Sequence, residues 1–215
     1  DKASQTVVSI ITSVGNMAYE MRVKGQNVLR FPYASIDDFR AKPAGLHGIP
    51  LLAPWANRLD EQAFYANGKR YPFDMQLGNV TGAIPIHGFM SRTDQWQVVE
   101  VKADGKAAWV TSRLETAKQA SWMKQWPFAH TMDMTYRLQD GTLEVFTKVT
   151  NHAAEPMPVS LAAAGGSASI VQRPLRCWRK TQSSVQASSG CTARGCAPMP
   201  ARSNGTDGKA CAIPM

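Results

Sequence analysis

Along residues 131–138, TMDMTYRL, hydrophobic and polar positions alternate without a break. Met132, Met134, Tyr136 and Leu138 fall on one face, and Thr131, Asp133, Thr135 and Arg137 on the other. A period of two is that of a strand with one buried face. The pattern resumes in GTLEVFTKVTN, where Leu143, Val145 and Val149 oppose Glu144 and Lys148. Gln139, Asp140 and Gly141 between the two runs predict a tight hairpin. The same unit recurs earlier in the chain. WQVVEVKA and KAAWVTSRL flank Asp104 with Gly105, AFYA and KRYPF flank Asn67 with Gly68, and QTVVSIITS and AYEMRVK flank Gly15 with Asn16; NVLRFPY follows. EPMPVSL, ending at Leu161, reads as a last strand. Helical periodicity is weak. LETAKQASWMKQW predicts a turn or two before Pro127 and has no clear apolar stripe. The expected fold class is all-β, an antiparallel sandwich or barrel.

The pattern stops at residue 162. Residues 162–215 contain five Leu, Ile, Val or Phe side chains (Ile170, Val171, Leu175, Val185 and Ile213), no Glu and no Tyr. Ordering each residue costs ~1–2 kcal/mol, and this segment has little apolar surface to offset that. The domain expectation is therefore a β-sandwich over 1–161 followed by a low-complexity, basic and irregular tail over 162–215.

Charge respects the same boundary. Residues 1–161 hold 17 Lys/Arg and 15 Asp/Glu, whereas residues 162–215 hold 7 Lys/Arg and one acid, Asp207. The net charge of +8 thus belongs mostly to the tail and says little about a ligand of the body. The tail's one aromatic is Trp178, without the interleaved rings that nucleic-acid binding uses, so no nucleic-acid partner is expected. No run of 18 apolar residues predicts a membrane span, and no membrane partner is expected. Cys177, Cys191, Cys196 and Cys211 all lie in the tail at spacings of 14, 5 and 15, so the body has no disulfide framework and no zinc or other metal site is expected. The first residue is Asp1 rather than Met, which leaves a removed signal peptide, and with it a cytoplasmic or a secreted or periplasmic location, open.

Candidate chemistry centres on residues 48–73, GIPLLAPWANRLDEQAFYANGKRYPF. Core packing accounts for Leu51, Leu52 and Trp55. It gives no reason for Asn57 and Arg58 where the apolar run ends. A guanidinium suits hydroxyl, ring-oxygen or carboxylate recognition, while a surface ion pair with Asp60 or Glu61 is the plainer alternative. His87, in GAIPIHGFMSRTDQW, can donate to a sugar oxygen near neutral pH or serve a structural role. His47, in GLHGIP, reads as structural. His130 and His152 look solvent-facing or strand-terminal. Trp122, Trp126 and Phe128 read as core before they read as sugar-stacking rings. No nucleophile elbow, P-loop, H-E-x-x-H or dinucleotide glycine pattern is present.

Taken in order, GIPLLAPWANRL, FYANGKRYPF, IHGF, a Trp-initiated strand, WPFAHTMDMTYRL and VTNHAAEPMPVSL resemble the aldose 1-epimerase family (galactose mutarotases) over about residues 5–161. The resemblance implies a large antiparallel β-sandwich of the galactose mutarotase type, a free hexose such as glucose or galactose as the partner, and no cofactor. It implies that Asn57 and Arg58 contact sugar hydroxyls and the ring oxygen. It places His87 beside the ring oxygen, as a substrate-binding residue and a weak acid. The family's reaction is acid–base ring opening, in which a glutamate deprotonates the anomeric hydroxyl and a histidine protonates the ring oxygen.

The chain departs from the family after MPVSL, where AAAGGSASIVQRPL stands in place of a His-Pro-Tyr-Phe motif whose histidine is the general acid. No Glu follows Glu155, so the general base is not found either, and the expectation is an incomplete sandwich of impaired activity. A non-catalytic sugar-binding sandwich is the alternative. An Ala-, Arg-, Ser- and Pro-rich segment starting in mid-motif is what translation of a GC-rich gene in the wrong frame produces, and sequencing the gene tests this.

Overall fold

A computed structural model describes residues 1–41, 45–78 and 80–163, together with the backbone of Val185–Thr192. In chain order the elements are β1 (Thr6–Ile11), β2 (Met17–Val23), β3 (Gln26–Asn27), α1 (Ile36–Ala41), β4 (Leu51–Leu52), β5 (Ala63–Ala66), β6 (Lys69–Pro72), β7 (Val80–Thr81), β8 (Ile84–Pro85), β9 (Gln97–Ala103) and β10 (Ala107–Glu115). A single turn of 3₁₀ helix (Thr116–Lys118) and α2 (Ala120–Gln125) lead into β11 (His130–Gln139), β12 (Thr142–Asn151), β13 (Ala162–Ala163) and β14 (Val185–Thr192).

The largest sheet is antiparallel with order β14-β12-β11-β10-β9; β1-β2-β3 form a second, and β13-β4, β5-β6 and β7-β8 are two-stranded ribbons. The alternation in β11 and β12 explains the first sheet. Pairing sets Leu138 against Leu143, Tyr136 against Val145 and Met132 against Val149. The buried face of the sheet includes Met132 and Met134 of β11 and Leu114 of β10, all at 0% exposure, and burying each such side chain contributes about 1.5–3 kcal/mol. Asn67 (φ 52°) and Asp140 (φ 50°) take the left-handed backbone that two-residue hairpin turns require. The antiparallel, strand-dominated fold expected from the sequence is the one observed.

One core joins the sheets: Met21, Leu51 and Trp55 pack in the same cluster as Leu114, Met134 and Leu143. Tyr136 ties them with polar bonds. Its buried hydroxyl donates to the Asn16 carbonyl at 2.7 Å and accepts the Ala18 N–H at 3.3 Å. Burial pushes this phenol's pKa upward, to a range where it stays a neutral donor.

Two segments differ from expectation. NVLRFPY contributes only its first residue to a strand, because Phe31 and Tyr33 turn instead onto Phe39 of α1, with ring centroids 5.3 and 4.9 Å away. That helix has a start signal in the sequence: Ser35 Oγ accepts the Asp38 N–H at 3.0 Å. EPMPVSL is unpaired through Leu161, since Pro156 and Pro158 lack donors, although Ser160 N–H reaches Pro54 O at 3.0 Å. Pairing resumes at Ala162 and Ala163, opposite Leu52 and Leu51. Within the tail, the β14 backbone pairs with β12 from Val185 opposite Val149 to Thr192 opposite Thr142. The cysteine side chains, Asp207 and the position of the missing His-Pro-Tyr-Phe motif lie outside the described residues.

Candidate functional site

Two segments about thirty positions apart are laced together by their backbones. Leu59 N–H donates to Pro85 O at 3.1 Å, His87 N–H to Asn57 O at 3.0 Å, and Phe89 and Met90 N–H to Ala53 O at 3.1 and 3.3 Å. The lacing brings Asn57, Arg58 and His87 side by side, with Arg58 bridged to Ile86. Beneath it Leu51, Trp55, Phe89 and Met90 are buried and hold both segments on the core.

The geometry demands unusual backbone. Asn57 (φ 69°) and His87 (φ 62°) are both left-handed. Gly88 (φ 61°) follows, where a Cβ would lie 1.8 Å from Ala53 O, so no other residue fits without moving the backbone. These turns aim the Asn57 amide at the His87 ring, and Asn57 N–H donates to His87 Nδ1 at 3.0 Å. A ring that accepts at Nδ1 carries its proton on Nε2, which leaves an N–H donor for a ligand. Desolvation, and then the Arg58 charge, lower the His87 pKa from its ordinary value, so the ring is neutral near pH 7.

Arg58 is exposed, and its Nη1 donates to Asn57 Oδ1 at 3.4 Å. The alternative ion pair with Asp60 or Glu61 is not formed; Glu61 sits 4.0 Å from Arg70 and accepts the Tyr65 hydroxyl at 2.9 Å. Among the described residues Arg58 has no carboxylate partner.

A cavity of about 300 Å³ opens beside His87, lined also by His47, Thr81, Ser91 and Arg92, and by Met17 and Phe39. Asn57 and Arg58 are not in its wall. No carboxylate lines it among the described residues, so its polar surface offers mainly donors. His47 is 7% exposed, and sequence reasoning assigned it no ligand; Arg92 was missed outright. The signal available was their position in Gly-rich turns flanking the same apolar runs.

The other histidines are elsewhere. His130 is buried at 2% exposure rather than solvent-facing, with Nδ1 2.7 Å from Phe128 O and 3.2 Å from Thr116 Oγ1. Burial drops its pKa to about 4. His152 follows β12 and meets Thr131 Oγ1 through Nε2 at 2.8 Å. Trp122, Trp126 and Phe128 are core residues.

A sequence model of the aldose 1-epimerase family matches residues 2–163. Among solved structures, a galactose mutarotase-like protein from Clostridium acetobutylicum superposes with a TM-score of 0.66 at 28% identity, over 75% of this chain and 48% of that one. The Slr1438 protein from Synechocystis gives 0.63 at 25% identity, over 77% and 51%. The GalM/aldose epimerase homologue of Caenorhabditis elegans gives 0.55 at 19% identity, over 75% and 47%, and speaks for the fold alone. The chain spans about half the length of the solved structures it matches.

Proposed function

The chain belongs to the aldose 1-epimerase family, and from that premise we propose that it binds a free hexose such as glucose or galactose at Asn57, Arg58 and His87 and acts on its α/β anomers. The observation that carries this reading is the Asn57 N–H held on His87 Nδ1 at 3.0 Å. It turns the histidine into a fixed Nε2–H donor beside an arginine that has no carboxylate partner among the described residues.

In the proposed complex His87 Nε2–H donates to the ring oxygen, and Arg58 donates to a neighbouring oxygen of the sugar. Both draw electron density from the C1–O5 bond and favour its opening. His87 does so as a hydrogen-bond donor and not by releasing a proton. Protonating Nδ1 would set it against the Asn57 N–H, and losing the Nε2 proton would leave an imidazolate. Complete ring opening also needs a base for the anomeric hydroxyl and an acid for the ring oxygen, each contributing on the order of 10²–10⁴-fold. We assign neither to a described residue of this site, and on this reading anomer exchange is impaired.

A second reading, a sugar-binding sandwich without turnover, is favoured by the absence of a carboxylate from the cavity wall among the described residues. One pair of measurements separates the two. Saturation-transfer NMR with glucose and galactose is expected to show saturable binding, weakened about tenfold by Arg58→Ala. Polarimetry of freshly dissolved α-D-glucose or α-D-galactose then reads turnover. Acceleration lost in His87→Ala supports an epimerase with a complete acid–base pair in this chain. The spontaneous rate with binding intact supports the binding protein. No binding by the folded chain overturns both.

A further inference from the structure

His47 is more firmly placed than a residue without a role needs to be. Gly48 N–H donates to Arg30 O at 2.9 Å and Ile49 N–H to Ala18 O at 2.7 Å, which fixes the backbone after it. The Tyr33 ring meets the imidazole edge-on, with centroids 5.2 Å apart at 78°, which fixes the ring plane. Gly48 (φ 62°) admits no side chain, since a Cβ would lie 2.4 Å from Ala18 O. The ring so held is 7% exposed, lines the same cavity as His87, and has an Nδ1 sealed from solvent without a hydrogen-bond partner among the described residues.

A buried polar atom left unsatisfied is unfavourable, and a bare N–H is the rarer form of it. The neutral ring is therefore best placed with a lone pair on the sealed Nδ1 and its proton on Nε2. His87 is fixed in the same tautomer by Asn57. The two imidazoles thus offer two N–H donors to one cavity that already holds the Arg92 guanidinium and the Thr81 hydroxyl. Such a wall is matched by a ligand that presents several oxygen acceptors on a compact apolar frame, and Met17 and Phe39 supply apolar surface for that frame.

We propose that His47 is a further sugar-binding residue: its ring N–H donates to one hydroxyl oxygen of the pyranose whose ring oxygen faces His87, and so selects for that hydroxyl. This rests on the sugar-site reading above and adds a contact to it. His47 touches the sugar away from the C1–O5 bond, so it governs affinity and choice of sugar rather than the chemistry.

The test uses the whole chain and two variants. His47→Phe keeps the ring against Tyr33 and removes both nitrogens; His47→Gln restores a donor near the Nε2 position. Dissociation constants are measured by NMR titration for glucose, galactose and their monodeoxy analogues, with thermal melts confirming that each variant is folded. Expected are about 5- to 10-fold weaker binding of the parent sugar by His47→Phe, and recovery to within about threefold in His47→Gln. One monodeoxy sugar is expected to bind wild type weakly by a similar factor, with His47→Phe no longer distinguishing it from the parent. Unchanged affinity in His47→Phe overturns the proposal. So does one common loss across all sugars, which would mark a packing role. Absence of any sugar binding in wild type overturns the site reading and this contact with it. Should His47→Phe fail to fold, the His47→Gln series decides: a preserved deoxy-sugar pattern supports the contact and a uniform loss overturns it.

Discussion

The β11–β12 ladder and the segment from residue 45 to residue 91 are built on opposite terms. The ladder pairs ten residues with ten in unbroken register, and its side chains alternate between core and solvent. The segment holds strands of two residues (β4, β7 and β8), isolated bridges, and left-handed Asn57 and His87. Each left-handed residue of this kind costs about 1–3 kcal/mol. A regular strand sends neighbouring side chains to opposite faces. Setting Asn57, Arg58 and His87 together calls for backbone that breaks the period, and the ladder's buried face provides the stability that lets it do so.

The sharpest way to break the contrast is Gly88→Ala. Its Cβ would meet Ala53 O at 1.8 Å at a left-handed φ, and strain with overpacking amounts to roughly 2–6 kcal/mol. Urea unfolding is expected to show that loss together with lost sugar binding. Gly68→Ala, at φ 72° with nothing within 4 Å, should cost about 1 kcal/mol and leave binding intact. In β10, beside the ladder and opposite Met132, Leu114→Ala removes a side chain at 0% exposure and is expected to cost about 2–5 kcal/mol while sugar affinity in the folded fraction stays unchanged.

Acid separates the two regions through their histidines. His130 has its pKa lowered to about 4, so the unfolded chain takes up this proton at higher pH than the native one. Its contribution is complete above about pH 6.5 and is lost as pH falls toward 4, amounting to about 3 kcal/mol. His87, also lowered, acts with the same sign. Denaturation curves at pH 7, 5.5 and 4.5 should show stability falling, with His130→Gln flattening the slope more than His87→Gln. Tyr136→Phe removes the tie between β11 and the first hairpin. Leaving the Asn16 carbonyl without this donor is expected to cost about 1–3 kcal/mol by the same denaturation assay.

What was legible in the sequence follows the same division. The eight strands of the four predicted hairpins, β1, β2, β5, β6 and β9 to β12, lie where pattern and turn residues put them, most plainly in β11 and β12, where burial on one face is written locally. EPMPVSL imitates that pattern, yet its prolines cannot enter a ladder. α1 was overlooked although Ser35 and Asp38 mark its cap. His130, read as solvent-facing or strand-terminal, does open β11, but it is buried there, with Phe128 O and Thr116 Oγ1 on its Nδ1. Asn57, Arg58 and His87 were singled out by residue type and family resemblance. That Asn57 would occupy His87 Nδ1, and that His47 and Arg92 would close on the same cavity, depends on the path of the chain between them. Local pattern does not encode that path.

The Tyr136 hydroxyl also sets a schedule. Its bonds reach back 118 and 120 positions, to Ala18 and Asn16. At about 5–20 residues per second of synthesis, roughly 6–24 s pass between the making of the first hairpin and the making of its locking residue. Through that interval Met17 and Met21, later fully covered, have no finished sheet to lie against. The first hairpin is therefore locked only once β11 has been made, and slowed elongation would lengthen its exposure to chaperones and proteases.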